Sequence, residues 1–279
     1  MAFPSNSSID GPGRDPYPLL GRRALITGVS RRRGIGYAVA RRFAAYGADI
    51  VFQHHVPHDR EQHWGADPAG IDGVSAGIRE AASNPRARIE QLAADLRAPA
   101  APATLFDTSV EQFGPIDILV CNHAQSAPDG DLEAMTEETL DLHWAVNTRS
   151  SILLAQRFAA HHDGRDGGRI IFLTSGQNLG PMTGEVAYAA AKGALAAITP
   201  TLADHLADRG ITVNAVNPGP VDTGYAPPDA VAAVAARFPG GRWGEPDDPA
   251  RLISWLVTDE GRWITGQVIN SEGGFRRWS

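Results

Sequence analysis

The 279-residue sequence contains one cysteine, Cys121, so no disulfide bond can form within the chain. It has no uninterrupted apolar run near the roughly 18 residues that a membrane-spanning helix needs. Residues 1–18 lack the positive start and apolar centre of a secretory signal and are rich in Pro, Gly and Ser. We therefore expect a cytoplasmic protein whose residues 1–20 form a flexible tail.

Positive charge is also limited, because 25 Lys and Arg residues face 32 Asp and Glu residues, giving a formal net charge of −7. This balance argues against nucleic acid or an anionic membrane as the main partner. Hydrophobic residues make up 43% and charged residues 20%, which is ordinary for a globular protein. No metal-ligand motif is present, and we expect no metal site.

Lysine is almost missing, since the sequence holds 24 arginines and a single lysine, Lys192. A bias towards arginine can be genomic and without physical meaning. Because the sequence keeps just one lysine, Lys192 is nevertheless a candidate for a role that an arginine could not fill.

Short apolar runs alternate with longer amphipathic stretches, which is typical of a parallel sheet covered on both faces. We predict an α/β fold with a doubly wound, Rossmann-type parallel sheet in three layers, formed by a single domain over residues 21–279. The predicted strands are Arg23–Thr27, Asp49–Gln53, Ala87–Leu92, Ile116–Cys121, Arg169–Thr174, Ile211–Ala215 and Gln267–Asn270. The predicted helices include Gly36–Tyr46, Thr136–Ala160, Val186–Ala207 and Pro249–Val257.

Two stretches lack a clear period. Val56–Gly73 is mostly polar and is predicted to be a surface loop. Pro218–Gly241 has proline and glycine at both ends around a helical run, Asp229–Arg237, and we expect a short, mobile substrate flap around residues 223–243.

A glycine-rich loop follows the first strand and leads into a helix. Its glycines, Gly28, Gly34 and Gly36, allow a sharp turn and a close approach to a pyrophosphate, whose charge the helix N-terminus offsets. The glycines alone are as consistent with an ordinary turn, but their place between strand and helix favours a dinucleotide site. Its expected contacts also include Ser30, Arg31, Arg33 and Ile35.

The acid that commonly holds the ribose 2′-hydroxyl of NAD lies about 20 residues beyond this loop. Asp49, 21 positions after Gly28, has that spacing but opens its strand, whereas ligands bind at the carboxyl ends of strands. That end carries His54 and His55. With Arg31–Arg33 nearby, NADP(H) is favoured over NAD(H), although the arginines could also be a solvated surface run.

The pair Tyr188 and Lys192 stands four positions apart, so phenol and ammonium share one helix face. A positive charge about 5 Å from a phenol is worth about 3 kcal/mol at an effective dielectric constant near 20, which lowers the phenol's pKa by about two. This would bring tyrosine towards acid/base chemistry at neutral pH. Seen alone, such a pair is more often surface decoration.

Further motifs stand in a fixed order around that pair: Asp95-Leu96, Cys121-Asn122-His123-Ala124, Asn147, Ser175, and Asn217-Pro218-Gly219 with Thr223. Taken singly, each has a structural explanation, such as a turn, a cap or a strand end. Together with the glycine loop and Tyr188/Lys192, they make residues 22–274 resemble the short-chain dehydrogenase/reductase family. The likeness is greatest to members similar to 3-oxoacyl-carrier-protein reductases.

The resemblance implies an NAD(P)(H)-dependent enzyme that interconverts a ketone and a secondary alcohol. Tyr188 would be the general acid/base, Ser175 would bond the substrate oxygen, Lys192 would lower the pKa of Tyr188 and hold the ribose, and Asn147 would anchor a relay water. Further cofactor contacts would be Asp95, Leu96, Asn122, His123, Ala124, Pro218, Gly219, Val221 and Thr223. The alternative is a catalytically silent dinucleotide-binding sensor or scaffold. A third possibility is a sugar-nucleotide epimerase, but the extra C-terminal substrate domain of those enzymes is missing from the sequence.

The sequence departs from the family pattern in three places. Five residues, rather than three, separate Gly28 from Gly34, and His123 introduces bulk where the family has a small residue. Pro200 should kink the helix that carries Tyr188 or remove one of its hydrogen bonds. An expanded glycine loop also resembles the enoyl reductases, but those place Tyr and Lys seven positions apart, so carbonyl chemistry is favoured.

The helix around Tyr188 also has a face of small residues that could pack against another subunit, as in the family's tetramers. The alternative is burial within one subunit. We expect a homo-oligomer, tetramer or dimer. The residues of this face are Ala189, Ala190, Gly193, Ala194 and Ala197.

Overall fold

The structure, a computed structural model, describes residues 15–226 and 228–278, with the main chain alone at residues 228–230. Its described part contains one seven-stranded sheet in which every pairing is parallel, in the order β3-β2-β1-β4-β5-β6-β7. The strands are β1 Arg23–Ile26, β2 Asp49–His54, β3 Ile89–Ala93, β4 Ile118–Cys121, β5 Gly168–Leu173, β6 Ile211–Asn217 and β7 Val268–Asn270. Each overlaps a predicted strand, with ends that coincide or differ by one or two residues.

Helices cover both faces of the sheet, which confirms the doubly wound, three-layer α/β fold. They are α1 Ile35–Ala45, α2 Val56–Glu61, α3 Gly70–Ala81, α4 Ala101–Phe113, α5 Glu137–His143, α6 Ser150–His161, α7 Val186–Ala207, α8 Pro228–Ala235 and α9 Asp247–Leu256. One face carries α1, α3 and α9, and the other carries α4, α6 and α7.

Successive residues of the strands feed two separate apolar cores, because side chains alternate across a sheet. In β1, Ala24 and Ile26 belong to the core that contains Phe43, whereas Leu25 belongs to the core that contains Phe158. Both faces of the central strands are thus buried, which explains their continuous apolar sequences.

The predicted helix Thr136–Ala160 is continuous in the structure but not uniform. Between α5 and α6 the chain forms a π-helical segment, Trp144–Arg149, which reorients the side chains that follow. Helix α7 has the predicted bounds and passes through Pro200 without interruption. By length and composition α7 could cross a bilayer, but its buried residues Leu195 and Leu206 pack in the core of the domain.

The prediction of a surface loop over Val56–Gly73 was wrong. The segment begins with α2 and ends in the first turn of α3. Pro57 lies in the first turn of α2, where its missing N–H costs nothing. Asp59 of α2 is buried against Arg31 of the glycine loop. The helix therefore depends on a distant partner that no local pattern shows.

The structure differs from the sequence-based expectation in the segment before β1 and in the flap. Leu19 is fully buried and its N–H bonds the Tyr46 carbonyl, so packed structure begins before residue 21; residues 1–14 of the predicted tail lie outside the described part. Within the predicted flap, α8 ends two residues before the expected Arg237, and residue 227 is outside the described part.

Candidate active site

A cavity of about 1200 Å³ runs along the carboxyl ends of the central strands. Ligands of doubly wound folds bind at this edge of the sheet. The cavity is lined by most of the predicted site residues, namely Gly28, Ser30, Arg31, Gly34, Ile35, His55, Asp95, Leu96, Asn122, His123, Ala124, Ser175, Tyr188, Lys192, Pro218, Gly219, Val221 and Thr223. Four predicted residues, Arg33, Gly36, His54 and Asn147, do not line it.

Two amide side chains hold the glycine loop in place. Gln53 of β2 accepts a hydrogen bond from the Gly28 N–H at 2.8 Å, and Asn122 donates to the Thr27 and Gly28 carbonyls at 3.1 and 2.9 Å. A Cβ on Gly36 would lie 2.6 Å from the Asn122 Nδ2 and 2.7 Å from the Gly28 oxygen. Gly36 therefore serves the close packing of helix on strand and not contact with a ligand.

The first turn of α1 suits an anionic group. Gly34 is its N-cap and no side chain caps the helix, so the first N–H groups of this 11-residue helix face the cavity. The positive end of the helix dipole and these donors together bind phosphate. The donor set and the volume of the cavity fit a dinucleotide, whose phosphates Ser30, Gly34 and Ile35 would hold.

His123 lines the cavity, and both nitrogens of its ring make hydrogen bonds in a buried polar cluster. Its Nδ1 lies 2.6 Å from the Thr27 hydroxyl, and its Nε2 lies 2.9 Å from the Val146 carbonyl and 2.7 Å from the Ser150 hydroxyl. Burial, with the charge of Lys192, lowers the pKa of His123 to about 3, so the imidazole is neutral. The extra bulk expected beside the cofactor is thus accommodated beneath the loop, between β4 and the π-helical segment.

The three arginines of the expanded loop have different surroundings. Arg31 lies in the cavity, 3.3 Å from Asp59, over the Trp64 ring, and donates to the Thr223 carbonyl at 3.0 Å. Arg33 is exposed and pairs with Asp222 at 3.1 Å. Arg32 pairs with Asp67 at 2.9 Å. The solvated-run interpretation therefore fits Arg32 and Arg33, while Arg31 is the loop arginine that a cofactor phosphate can reach.

At the end of β2 the two histidines separate. His55 lines the cavity, whereas His54 is half-buried behind it, and burial lowers the pKa of His54. Sequence reasoning missed His58, Asp59 and Trp64, which also line this end of the cavity. They lie on or just after α2, the segment taken for a loop.

Tyr188 and Lys192 lie on the same face of α7, as predicted, beside Ser175 at the end of β5. The Lys192 Nζ is 5.6 Å from the centre of the Tyr188 ring and donates to the Leu173 carbonyl at 2.8 Å. Lys192 is 1% exposed, and burial lowers its pKa to about 8.

The pKa of Tyr188 moves opposite to the sequence-based expectation. Burial raises the pKa of Tyr188, and the neighbouring Glu185 and Tyr225 raise it further, while a hydrogen bond with Ser175 lowers it. Desolvation of the phenolate is thus the dominant effect. The phenol is therefore protonated at physiological pH.

The Asn147 side chain, which was expected to anchor a relay water, hydrogen-bonds to the main chain of Gln125. Its amide nitrogen donates to the Gln125 carbonyl at 3.0 Å, and its oxygen accepts from the Gln125 N–H at 2.8 Å. This fully buried side chain thus fixes the loop after β4 and does not reach the cavity.

The far end of the cavity is formed by the chain after β6 and by the C-terminal residues. Glu272 accepts from the Asn217 side chain at 2.7 Å and pairs with Arg277, whose charge is thereby neutralised. The sequence analysis also missed other lining residues. Those with large or charged side chains include Leu142, Val146, Met182, Glu185, Tyr225, Arg237, Phe275, Arg277 and Trp278. The wall of the cavity thus combines apolar and aromatic side chains with charged ones.

A family model described as enoyl-(acyl carrier protein) reductase matches residues 28–276 of the chain. With the cavity and its Ser175, Tyr188 and Lys192 side chains, this match decides the assignment. The chain belongs to the short-chain dehydrogenase/reductase family. It is an NAD(P)-dependent oxidoreductase that interconverts a ketone and an alcohol, which confirms the prediction of an enzyme.

Three relatives illustrate the likeness. An uncharacterized oxidoreductase of Bacillus subtilis is 43% identical over 256 residues, covering 91% of this chain and 96% of the relative. An NADPH-dependent aldehyde reductase-like chloroplastic protein of Arabidopsis thaliana is 35% identical, covering 97% and 99%. The crystal structure of a Burkholderia cenocepacia short-chain dehydrogenase in complex with NADP is 36% identical, with a TM-score of 0.80, covering 92% and 98%.

The buried Lys192 makes stability depend on pH. Its pKa is about 8 in the folded protein against 10.5 when exposed, so the unfolded chain binds the proton more tightly. Burying the charged ammonium lowers the free energy of unfolding, and this cost applies in full below pH 8. As the pH rises towards 10.5 the cost disappears, and the free energy of unfolding increases by roughly 3 kcal/mol. Urea unfolding at pH 7.5–10.5 should show this gain for the wild type relative to Lys192→Met. Parallel pH profiles for the two proteins would contradict it.

Proposed function

We propose that the enzyme reduces a neutral carbonyl compound with NADPH, with Tyr188 as the proton donor. The observation that carries the proposal is the convergence of Ser175, Tyr188 and Lys192 on the wall of the cavity that also holds the glycine loop and the N-terminus of α1. A nicotinamide bound there supplies the hydride. The protein supplies position, a hydrogen bond and a proton.

Each polar group has one task in this scheme. Ser175 donates a hydrogen bond to the carbonyl oxygen and stabilises the negative charge that develops on it. Tyr188 then gives its hydroxyl proton to that oxygen. Lys192, a buried cation 5.6 Å from the phenol ring, stabilises the phenolate left behind. Because the pKa of Tyr188 is raised, the proton donor stays loaded throughout the neutral range.

The substrate half of the cavity supports neutral substrates. Its wall carries the aromatic side chains of Tyr225, Phe275 and Trp278. The charge of Arg277 is paired with that of Glu272, and Arg237 donates to the Arg276 and Arg277 carbonyls. Glu185 contributes a carboxylate close enough to Tyr188 and Tyr225 to raise the pKa of both. A substrate carboxylate or phosphate next to the reacting carbonyl would be repelled, whereas a hydroxyl or amino group could donate to Glu185.

Replacing Tyr188 with phenylalanine removes the proton donor while keeping the ring. In a panel of neutral aryl and alkyl ketones with NADPH, Tyr188→Phe should lower kcat by about 10²–10⁴-fold, as for other general acids, and leave NADPH affinity within twofold. Tyr225→Phe, the same change in the same cavity, should stay within a few-fold of the wild type. Equal turnover by Tyr188→Phe and the wild type would refute the role of Tyr188, and no turnover by any protein would favour the silent-sensor alternative.

NADP(H) as the preferred cofactor is supported by Arg31 in the cavity and by histidines, not a carboxylate, at the end of β2. The carboxylate on α2, Asp59, is already paired with Arg31. The NADPH-dependent Arabidopsis relative and the NADP complex of the Burkholderia relative point the same way.

Removal of the Arg31 guanidinium tests this preference. Arg31→Ala should raise the Kd for NADPH at least tenfold and that for NADH less than threefold, measured by fluorescence titration, since a charged hydrogen bond to a phosphate is worth about 1.5–3 kcal/mol. Arg32→Ala is the control, because Arg32 pairs with Asp67 and does not line the cavity. Equal weakening of both cofactors by Arg31→Ala would place Arg31 at the pyrophosphate and remove its role in selectivity.

The proposal includes a homo-oligomer that uses the small-residue face of α7. Within one subunit Ala190 and Ala197 are exposed and Gly193 and Ala194 are partly exposed, so the subunit itself does not bury this face. Ala190→Arg places a large charged side chain there and should convert the oligomer to smaller species in sedimentation experiments. An unchanged sedimentation coefficient would rule out this face as the contact.

A further inference from the structure

The start of α7 is capped by a residue that lies 59 positions before Tyr188 in the chain. A helix leaves its first N–H groups without partners inside the helix. In α7 the Val186 N–H donates to the Gly130 carbonyl at 3.1 Å, and the Ala187 and Tyr188 N–H groups donate to the two carboxylate oxygens of Asp129 at 3.0 and 2.8 Å. Asp129 therefore bridges two successive amides, one of which belongs to Tyr188 itself.

The residue that occupies the N-cap position, Glu185, makes no side-chain capping bond. Glu185 lines the cavity instead. The loop after β4 therefore caps this helix and sets the position of its first turn.

The capping loop is itself anchored at two points by the chain from α5 onward. Asn147 holds the main chain of Gln125, as described above, and the fully buried His143 donates from Nε2 to the Pro128 carbonyl at 2.8 Å. Asp129 follows directly after Pro128. The carboxylate is therefore held by a braced segment and not by a free surface loop.

The same histidine also contacts the Tyr188 ring. The centroids of the two rings are 6.2 Å apart and the planes are nearly perpendicular, at 86°, an edge-to-face arrangement. Tyr188 is thus held at two points, because Asp129 accepts from its main-chain N–H and His143 contacts its ring.

We propose that Asp129 is a positioning residue for the proton transfer: it sets the placement of the Tyr188 hydroxyl by bridging the Ala187 and Tyr188 amides. The proposal rests on the function proposed above for Tyr188. A misplacement of about 1 Å at a reacting group can cost about 10²-fold in rate, so the loss of this bridge acts on kcat. The glycine loop and α1 make no hydrogen bond to Asp129, so cofactor binding is independent of it.

The test compares three variants by steady-state kinetics with a neutral ketone and by NADPH titration. Asp129→Ala should lower kcat about 10- to 100-fold with the Kd for NADPH within twofold. Asp129→Asn keeps one oxygen acceptor, which can serve only one of the Ala187 and Tyr188 amides, and should recover part of that loss. Asp131→Ala is the matched control, since Asp131 caps only the nearby turn Leu132–Ala134, and its kcat should stay unchanged.

A double-variant cycle separates positioning from general destabilisation. If Asp129 acts through the phenol, Asp129→Ala in the Tyr188→Phe background should cause less than a threefold further loss of the residual rate. A full 10- to 100-fold loss in that background, or a drop in kcat no larger than that of Asp131→Ala, would overturn the proposal. Wild-type turnover by Tyr188→Phe alone would instead overturn the proposed function. If Asp129→Ala does not fold, the same cycle is run with Asp129→Asn and a smaller expected coupling, and full additivity there overturns the proposal.

Discussion

The loop that follows β4 is hydrogen-bonded to the glycine loop at one end and to the start of α7 at the other. Asn122 donates to the Thr27 and Gly28 carbonyls, and Asp129 accepts from the first turn of α7. The two halves of the site, one for the dinucleotide and one for the carbonyl group, come from distant parts of the chain. This loop fixes the distance between them.

The chemistry of the site depends on how burial and charge are balanced. Lys192 is the one lysine of the chain, it is buried, and its ammonium donates to the Leu173 carbonyl. A guanidinium is wider and would not fit the same contact, which gives a physical reason for a lysine here. Desolvation also raises the pKa of the Tyr188 phenol, so the hydroxyl carries its proton at neutral pH.

The expanded glycine loop shows how an insertion can be absorbed. Its arginines are paired with Asp59, Asp67 and Asp222, which lie in or around α2 and in the flap. The insertion thus builds contacts across the mouth of the cavity, and Arg31 joins the loop to the flap through the Thr223 carbonyl. The polar segment 56–73 became structured because these pairs give it a place to pack.

The sequence by itself determined the seven strands, the bounds of α7 and the parts of the cavity formed by the glycine loop and by Tyr188 and Lys192, because strand periodicity, the glycine loop and the Tyr188/Lys192 spacing are local patterns. It did not determine α2, the buried hydrogen bonds of His123, the use of Asn147 as a brace or the direction in which the pKa of Tyr188 moves. Those features depend on partners such as Asp59, Ser150 and Gln125 that are distant in sequence, and on burial. Only the tertiary structure decides which polar groups lose water and which distant groups replace it.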